Sequence, residues 1–347
     1  MSIKHRICQF NRQAIAAARP SILILGLLLL TGLIPVSAWS AGAIDMGIVT
    51  GGPKGTYYQF GLNMEALVAQ HDINLRVDNS KGSIENIYAV YQRPNTQLGI
   101  VQSDVLAFVS RVQSNPVLKG IARKTKMVFP LYNEEIHLVG NPDILSFDYL
   151  AGRKVAIGKE GSGTYMTAEL LFKVSGVAPA EKLAIGTDEA LGRLKNGSID
   201  AMFYVAGYPV KLFAEEVLTT DNLNLVPITN KSILEFYPPS EIPAGTYPWQ
   251  PETVPTAAVK AVLVSYDFRN FHCQSVGKLA KLVYENMDWL TTNGHPKWQS
   301  VDLNYPLKGW QQYDCVKKYL AGARRPAQTR SKELNPVLDA LRDMLAD

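Results

Sequence analysis

The chain has 347 residues, 47% of them hydrophobic and 19% charged, which excludes an intrinsically disordered chain and leaves apolar material for two cores. Lys and Arg number 35 against 31 Asp and Glu, but four of the bases and none of the acids precede Asp45. Beyond that point the chain is formally neutral, so its basic pI gives no ground for a nucleic-acid or anionic-lipid partner.

The surplus bases, Lys4, Arg6, Arg12 and Arg19, precede an apolar run over 21–34, and small residues follow from Ser37 to Ala43. That order predicts a secretory signal peptide over 1–43, and the apolar run is shorter than the roughly 20 residues of a spanning helix. Removal of the leader and a periplasmic location are therefore expected, with a membrane-tethered form kept by an uncleaved leader as the lesser alternative. Ala38/Ser40 and Ala41/Ala43 both fit a small-x-small cleavage rule. Cys8 leaves with the leader, and Cys273 with Cys315 remains as an even pair in an oxidising compartment, which predicts a disulfide. Two unrelated buried thiols are the competing reading.

Beyond the leader, short apolar runs lead through small-residue turns into helical periods. Ile44 to Val49 leads to Gly51-Gly52-Pro53-Lys54-Gly55 and a helix around Tyr57 to Gln70. Leu75 to Val77 leads to Asn79-Ser80-Lys81-Gly82-Ser83 and a helix to Arg93, and Leu98 to Val101 leads to Gln102-Ser103-Asp104 and a third. Lys126 to Val139 reads as extended, without a helix of its own. A second series then begins: Val155 to Gly158 before Gly161-Ser162-Gly163-Thr164, Leu183 to Ile185 before Thr187-Asp188, and Ala201 to Val205 before Ala206-Gly207-Tyr208-Pro209. Ala257 to Val264 is extended again, and helices are expected near Val276 to Leu290 and Tyr313 to Leu320.

Serial strand-turn-helix units predict an α/β fold with mostly parallel sheet. Two extended passages around the second series suit a crossing into a second lobe and a return. Lobe one is then discontinuous, 44–132 plus 250–347, and lobe two is 133–249. In such sheets ligands sit beyond the carboxyl ends of the strands, where backbone N–H groups and helix N-termini favour anions. Ser, Thr and Gly at any one helix start commonly mean capping alone, but several such turns facing one cleft point to a site.

The stretches TGGPKGTYYQFG (50–61), SKGSIENIYAV (80–90), LGIVQSDV (98–105), GSGTYMTAELL (161–171), SIDAMFYVAGYP (198–209) and IPAGTYPWQPETVPTAAV (242–259) resemble, in that order, the TRAP-associated extracytoplasmic immunogenic (TAXI) family of solute-binding proteins. The resemblance implies a two-lobed type II periplasmic-binding-protein fold (Venus flytrap), each lobe a mostly parallel sheet flanked by helices. It also implies capture of glutamate, 2-oxoglutarate or a related acid by hinge closure and delivery to the membrane subunits of a TRAP transporter. Carried over residue by residue, it places Gly52, Gly55, Tyr57, Gly82 and Ser83 on the lobe-one wall and Gln102, Ser103 and Asp104 on the floor. Gly161, Ser162, Gly163 and Thr164 answer from lobe two with Tyr204, Ala206 and Gly207 nearby, and Thr246 and Tyr247 close the rim. The sequence departs from the family pattern at Gln59 and Lys81. Lys54 and Lys81 are either cations for a carboxylate or solvated turn residues.

Catalytic and metal readings find no support in the motifs. Glu160 stands where a nucleophile elbow around Ser162 needs Gly, and His71, His137, His272 and His295 have no paired ligand spacing. Glu134-Glu135 reads as a pair of solvated hinge charges, not a general base. A monomeric binding protein without cofactor or metal is expected, taking a small organic anion. A sensor signalling to a membrane kinase and an exported enzyme on the same scaffold are the alternatives.

Overall fold

The computed structural model describes residues 43–111 and 115–323. The predicted leader up to residue 42 and the C-terminal stretch 324–347 lie outside them. The first units are β1 (Ile44–Val49), α1 (Thr56–Val68), β2 (Ile73–Asp78), α2 (Ser83–Gln92), β3 (Leu98–Gln102), α3 (Ser103–Arg111) and α4 (Pro116–Lys124). β1 lies parallel to β2 and β3, with Ile44 opposite Ile73 and Ile48 opposite Leu98. Because side chains alternate along a strand, Met46, Ile48 and Ile100 enter one core with Phe60 and Met64 of α1, while Val101 enters another with Ile87 and Val105.

The segment expected to be extended is one unbroken strand of 16 residues, β4 (Thr125–Gly140). After it come β5 (Lys154–Ala156), α5 (Gly163–Ser175), β6 (Glu181–Leu183), α6 (Thr187–Lys195), β7 (Ala201–Ala206), α7 (Lys211–Glu216), β8 (Asn224–Leu225), α8 (Lys231–Phe236) and β9 (Pro239–Ile242). The chain returns along β10 (Val254–Tyr266) to α9 (Phe271–Glu285), α10 (Met287–Asn293) and α11 (Asp314–Leu320). All ten strands share one sheet, ordered β2-β1-β3-β10-β4-β7-β5-β6, with β8 beside β4 and β9 beside β10. β4 and β10 are antiparallel and belong to both halves. Residues 261–265 of β10 pair with β3 and residues 254–257 with β9, and the β4 register shifts between Lys260 and Val262. The second half has its own cores on the two faces of β7, around Phe203 with Leu171 and around Met202 with Phe213.

Two elements differ from expectation. The strand predicted at Leu183 to Ile185 is Glu181–Leu183, because its three residues pair with β5 and the chain turns at Gly186 into α6. The single helix predicted over 276–290 is α9 and α10, broken at Asn286, whose φ of −117° and ψ of 30° leave the helical region. α9 also starts earlier than expected, since Asn270 Oδ1 accepts from the His272 N–H. Cys273 and Cys315 form the predicted disulfide between α9 and α11, with Cα atoms 5.7 Å apart. Its separation of 42 residues corresponds to about 4 kcal/mol in the chain-entropy account. Among the described residues no helix is long and apolar enough to cross a membrane.

Candidate functional site

Helices α1, α2, α5 and α6 follow the carboxyl ends of β1, β2, β5 and β6. Their N-caps are Gly55, Gly82, Ser162 and Gly186, and only Ser162 caps with its side chain, its Oγ accepting from the Tyr165 N–H at 3.1 Å. At the three glycine caps no side chain competes for the first-turn N–H groups, which leaves them for a ligand or water. Gly82 has φ of +119°, a conformation without strain only for glycine. All four helix ends line one cavity of about 270 Å³. That is smaller than the roughly 300–1,000 Å³ of clefts that take drug-sized ligands, so it suits a small metabolite. Converging N–H groups and helix dipoles make this end of the cavity favourable to an anion.

The walls between the helix ends are held by hydrogen bonds. Ser83 Oγ accepts from the Gln102 N–H at 3.1 Å, and Thr164 Oγ1 accepts from the Val205 N–H at the same distance. Asn86 Nδ2 donates to Thr50 O and Ile100 O, and Ser80 Oγ accepts from the Gly82 N–H, which fixes the β2–α2 turn. Glu134 of β4 also lines the cavity, with 1% of its surface exposed, and accepts from the Tyr57 hydroxyl at 2.7 Å. Burial holds the Glu134 carboxyl well above the usual carboxylate range, and the carboxylates of Asp104 and Glu135 push the same way.

The halves meet around this cavity. Lys54 Nζ donates to Asp188 at 2.7 Å and Glu216 at 3.0 Å, joining the turn before α1 to α6 and α7. Thr56 Oγ1 donates to Gly207 O at 2.5 Å. Gly163 lies so close to Gln102 that a Cβ on it would come 2.0 Å from Gln102 Oε1.

Of the residues singled out in the sequence, Gly52, Gly55, Tyr57, Gly82, Ser83, Gln102, Ser162, Gly163, Thr164, Tyr204 and Ala206 line the cavity together. Ser103, Asp104, Gly161, Gly207, Thr246 and Tyr247 are not among its lining. Ser103 Oγ accepts from the Lys260 N–H, and Asp104 is wholly buried, accepting from the hydroxyls of Thr167 and Tyr237. Gly207 carries the carbonyl that Thr56 reaches. Thr246 donates to Pro243 O, and Tyr247 sits in the second-half core, its hydroxyl donating to or accepting from His137 Nε2 and accepting from the Val210 N–H. That pairing and the packing on Trp249 draw the ring inward, away from the rim position the sequence suggested.

Glu134 and Glu135 are likewise corrected, from solvated charges to buried ones. Glu135 pairs with Lys297 at 2.7 Å, and the side chains are 3% and 6% exposed. Lys54 is engaged by its two acids, whereas Lys81 lines the cavity from an exposed position. Sequence reasoning reads the turn Thr187-Asp188 as leading into a helix but does not place it at the site, where Gly186, Thr187 and Asp188 line the cavity as the fourth helix end.

Residues 48–309 match the model of the NMT1-like family. The chain belongs to the NMT1-like family. Among solved structures, this NMT1-like protein is similar to one described as a periplasmic transporter, with a TM-score of 0.56 and 15% identity over 89% of this chain and 98% of the other. It is also similar to the periplasmic binding protein BugD, with a TM-score of 0.52 and 9% identity over 87% of this chain and 97% of the other. Together with the strand order β2-β1-β3-β10-β4, these likenesses identify the type II periplasmic-binding-protein fold.

Proposed function

We propose that this protein is an extracytoplasmic solute-binding receptor that captures a small organic acid of the glutamate, 2-oxoglutarate or dicarboxylate class. It closes over the acid and presents it to the membrane subunits of a TRAP-type secondary transporter. The observation that carries this reading is the convergence of four helix N-termini from both halves on one small cavity. A carboxylate there accepts from unpaired N–H groups and is favoured by the helix dipoles. Contacts from both halves also give such a ligand a larger stake in the closed arrangement than in an open one, which is the condition for ligand-driven closure. The ordered TAXI-like motifs support the TRAP assignment, and export after cleavage within 38–43 supplies the compartment.

The test is a thermal-shift screen of the purified protein with dicarboxylates, 2-oxo acids and acidic amino acids. A true ligand at about a hundred times its Kd adds roughly 2.7 kcal/mol of stability. Ser162→Ala and Gly52→Asp are expected to weaken the response while the protein stays folded. A midpoint that no small acid raises removes the organic-acid assignment.

A further inference from the structure

The helix ends account for one end of a ligand. Glu134 poses the opposite problem, a buried carboxyl in the wall of an anion-favouring cavity. Tyr57 donates to its Oε2 at 2.7 Å. Its Oε1 has no hydrogen-bond partner among the described residues and is not sealed off, so at a residue 1% exposed its free surface belongs to the cavity. Among the described residues no cation is paired with it, and Lys297 favours its charge without forming an ion pair with it. Lys297 is taken by Glu135 at 2.7 Å and lies over the Tyr208 ring, and Lys54 is taken by Asp188 and Glu216. The carboxyl neighbours Asp104 and Glu135 both oppose ionisation of Glu134.

While Glu134 is ionised, a second carboxylate or a 2-oxo group placed against that oxygen meets like charge or lone pair against lone pair. Such a group is held only where the carboxyl keeps its proton and donates it; an ammonium needs no such proton. An ammonium group fits on both counts, supplying donors to an acceptor that lacks one and the opposite charge to a carboxyl that burial penalises. We propose that Glu134, oriented by Tyr57, receives an ammonium group, and that the ligand is a zwitterion whose carboxylate sits at the helix ends and whose amine faces β4. This rests on the receptor reading above and narrows it from small organic acids to amino acids. Tyr57 acts as a positioning residue, since its hydroxyl bond turns Oε1 toward the cavity.

Calorimetric titration of the whole protein with the standard L-amino acids, the 2-oxo acid corresponding to each one that binds, and glutarate and succinate tests this directly. The expected result is that an amino acid binds and its 2-oxo counterpart binds at least about ten-fold more weakly. Glu134→Gln is expected to lose about ten-fold for the amino acid while leaving the 2-oxo acid unchanged or improved, a change in ratio that mere loosening of the fold does not produce. The wild-type comparison stands even if that variant fails to fold. A 2-oxo acid or dicarboxylate that binds as tightly as any amino acid overturns the inference and leaves the receptor reading intact. So does a folded Glu134→Gln with the amino acid's full affinity. If no compound of either class binds, the receptor reading falls and this inference with it.

Discussion

Lys54 and Asp188 form an ion pair of 2.7 Å between the two halves, and Glu216 lies 3.0 Å from the same ammonium. Lys54 belongs to the turn that opens α1, and the two acids belong to α6 and α7, so the pair exists only while the halves are together. Both acids are well exposed, at 66% and 48%, and exposed pairs contribute about 0–1 kcal/mol, enough to bias a hinge but not to hold a fold.

Lys54→Glu sets a carboxylate beside Asp188 and Glu216 and is expected to weaken ligand binding several-fold, with less effect as salt rises. The unfolding midpoint without ligand is expected to change little. Titrations of wild type and variant at low and high salt read this out, and equal affinities at low salt would discard the latch.

How much of this was legible in advance follows from the distance over which each contact acts. The Gly-rich turns are local: strand, small residue and helix lie within a few positions, so Gly52, Gly82 and Ser162 could be picked out and do line the cavity. Glu134 and Glu135 could not. In β4 they read as two acids in an extended run, and what buries them comes from far away, Tyr57 77 residues earlier and Lys297 162 residues later. Tyr247 fails for a related reason, since its partner His137 is 110 residues away and a phenol with a buried partner moves into a core. The long strands β4 and β10 were visible as helix-free apolar runs, but that they pair with each other is a tertiary fact no period encodes.

The pair Lys297–Glu135 joins the stretch after α10 to the middle of β4 with both side chains all but sealed from water. Burial lowers the Lys297 pKa and raises that of Glu135, pushing each toward its neutral form, and the opposite charge of the partner, with the hydrogen bond between them, works against that push. Removing one partner leaves the other charge uncompensated, and Lys297→Met is expected to cost about 3–5 kcal/mol. Adding Glu135→Gln to it is expected to restore part of that loss. Urea unfolding of both single variants and the double closes the cycle, and a Lys297→Met protein within about 1 kcal/mol of wild type contradicts it.

Two buried groups set opposing pH dependences. Burial raises Asp104 from 3.8 to about 6, although Thr167, Tyr237 and the Val105 N–H all favour its carboxylate. The folded protein therefore keeps a proton that the unfolded chain releases, and this contribution to stability is full below pH 3.8 and lost as pH rises through about 6. Burial lowers His137 from 6.5 to about 3, so the unfolded chain takes up the proton, and this contribution is full above pH 6.5 and lost as pH falls toward 3. Between these limits the two slopes oppose each other. Asp104→Asn removes the first and is expected to lose stability on acidification more steeply than wild type, by up to about 1.4 kcal/mol per pH unit. Urea midpoints across that range decide it, and parallel curves for the two proteins rule it out.

Gly163, at the first turn of α5, tests whether the close approach of the halves is what ligand binding requires. A Cβ there would stand 2.0 Å from Gln102 Oε1, 2.4 Å from Gln102 Cδ and 2.8 Å from Ser83 Oγ, all in the first half, and would meet nothing as close in its own. Gly163→Ala can therefore fold but not close without displacing Gln102, whose side chain is 2% exposed and has little room to retreat. The expected result is a stability within about 1 kcal/mol of wild type and an affinity reduced about ten-fold or more. Gly192→Ala is the control, because Gly192 lies in α6 with open space around its Cβ position. It is expected to gain up to about 1 kcal/mol from helix propensity with affinity unchanged. Should both variants bind alike, contact between Gly163 and Gln102 is not part of the binding-competent form, and the cavity has to work with its halves further apart.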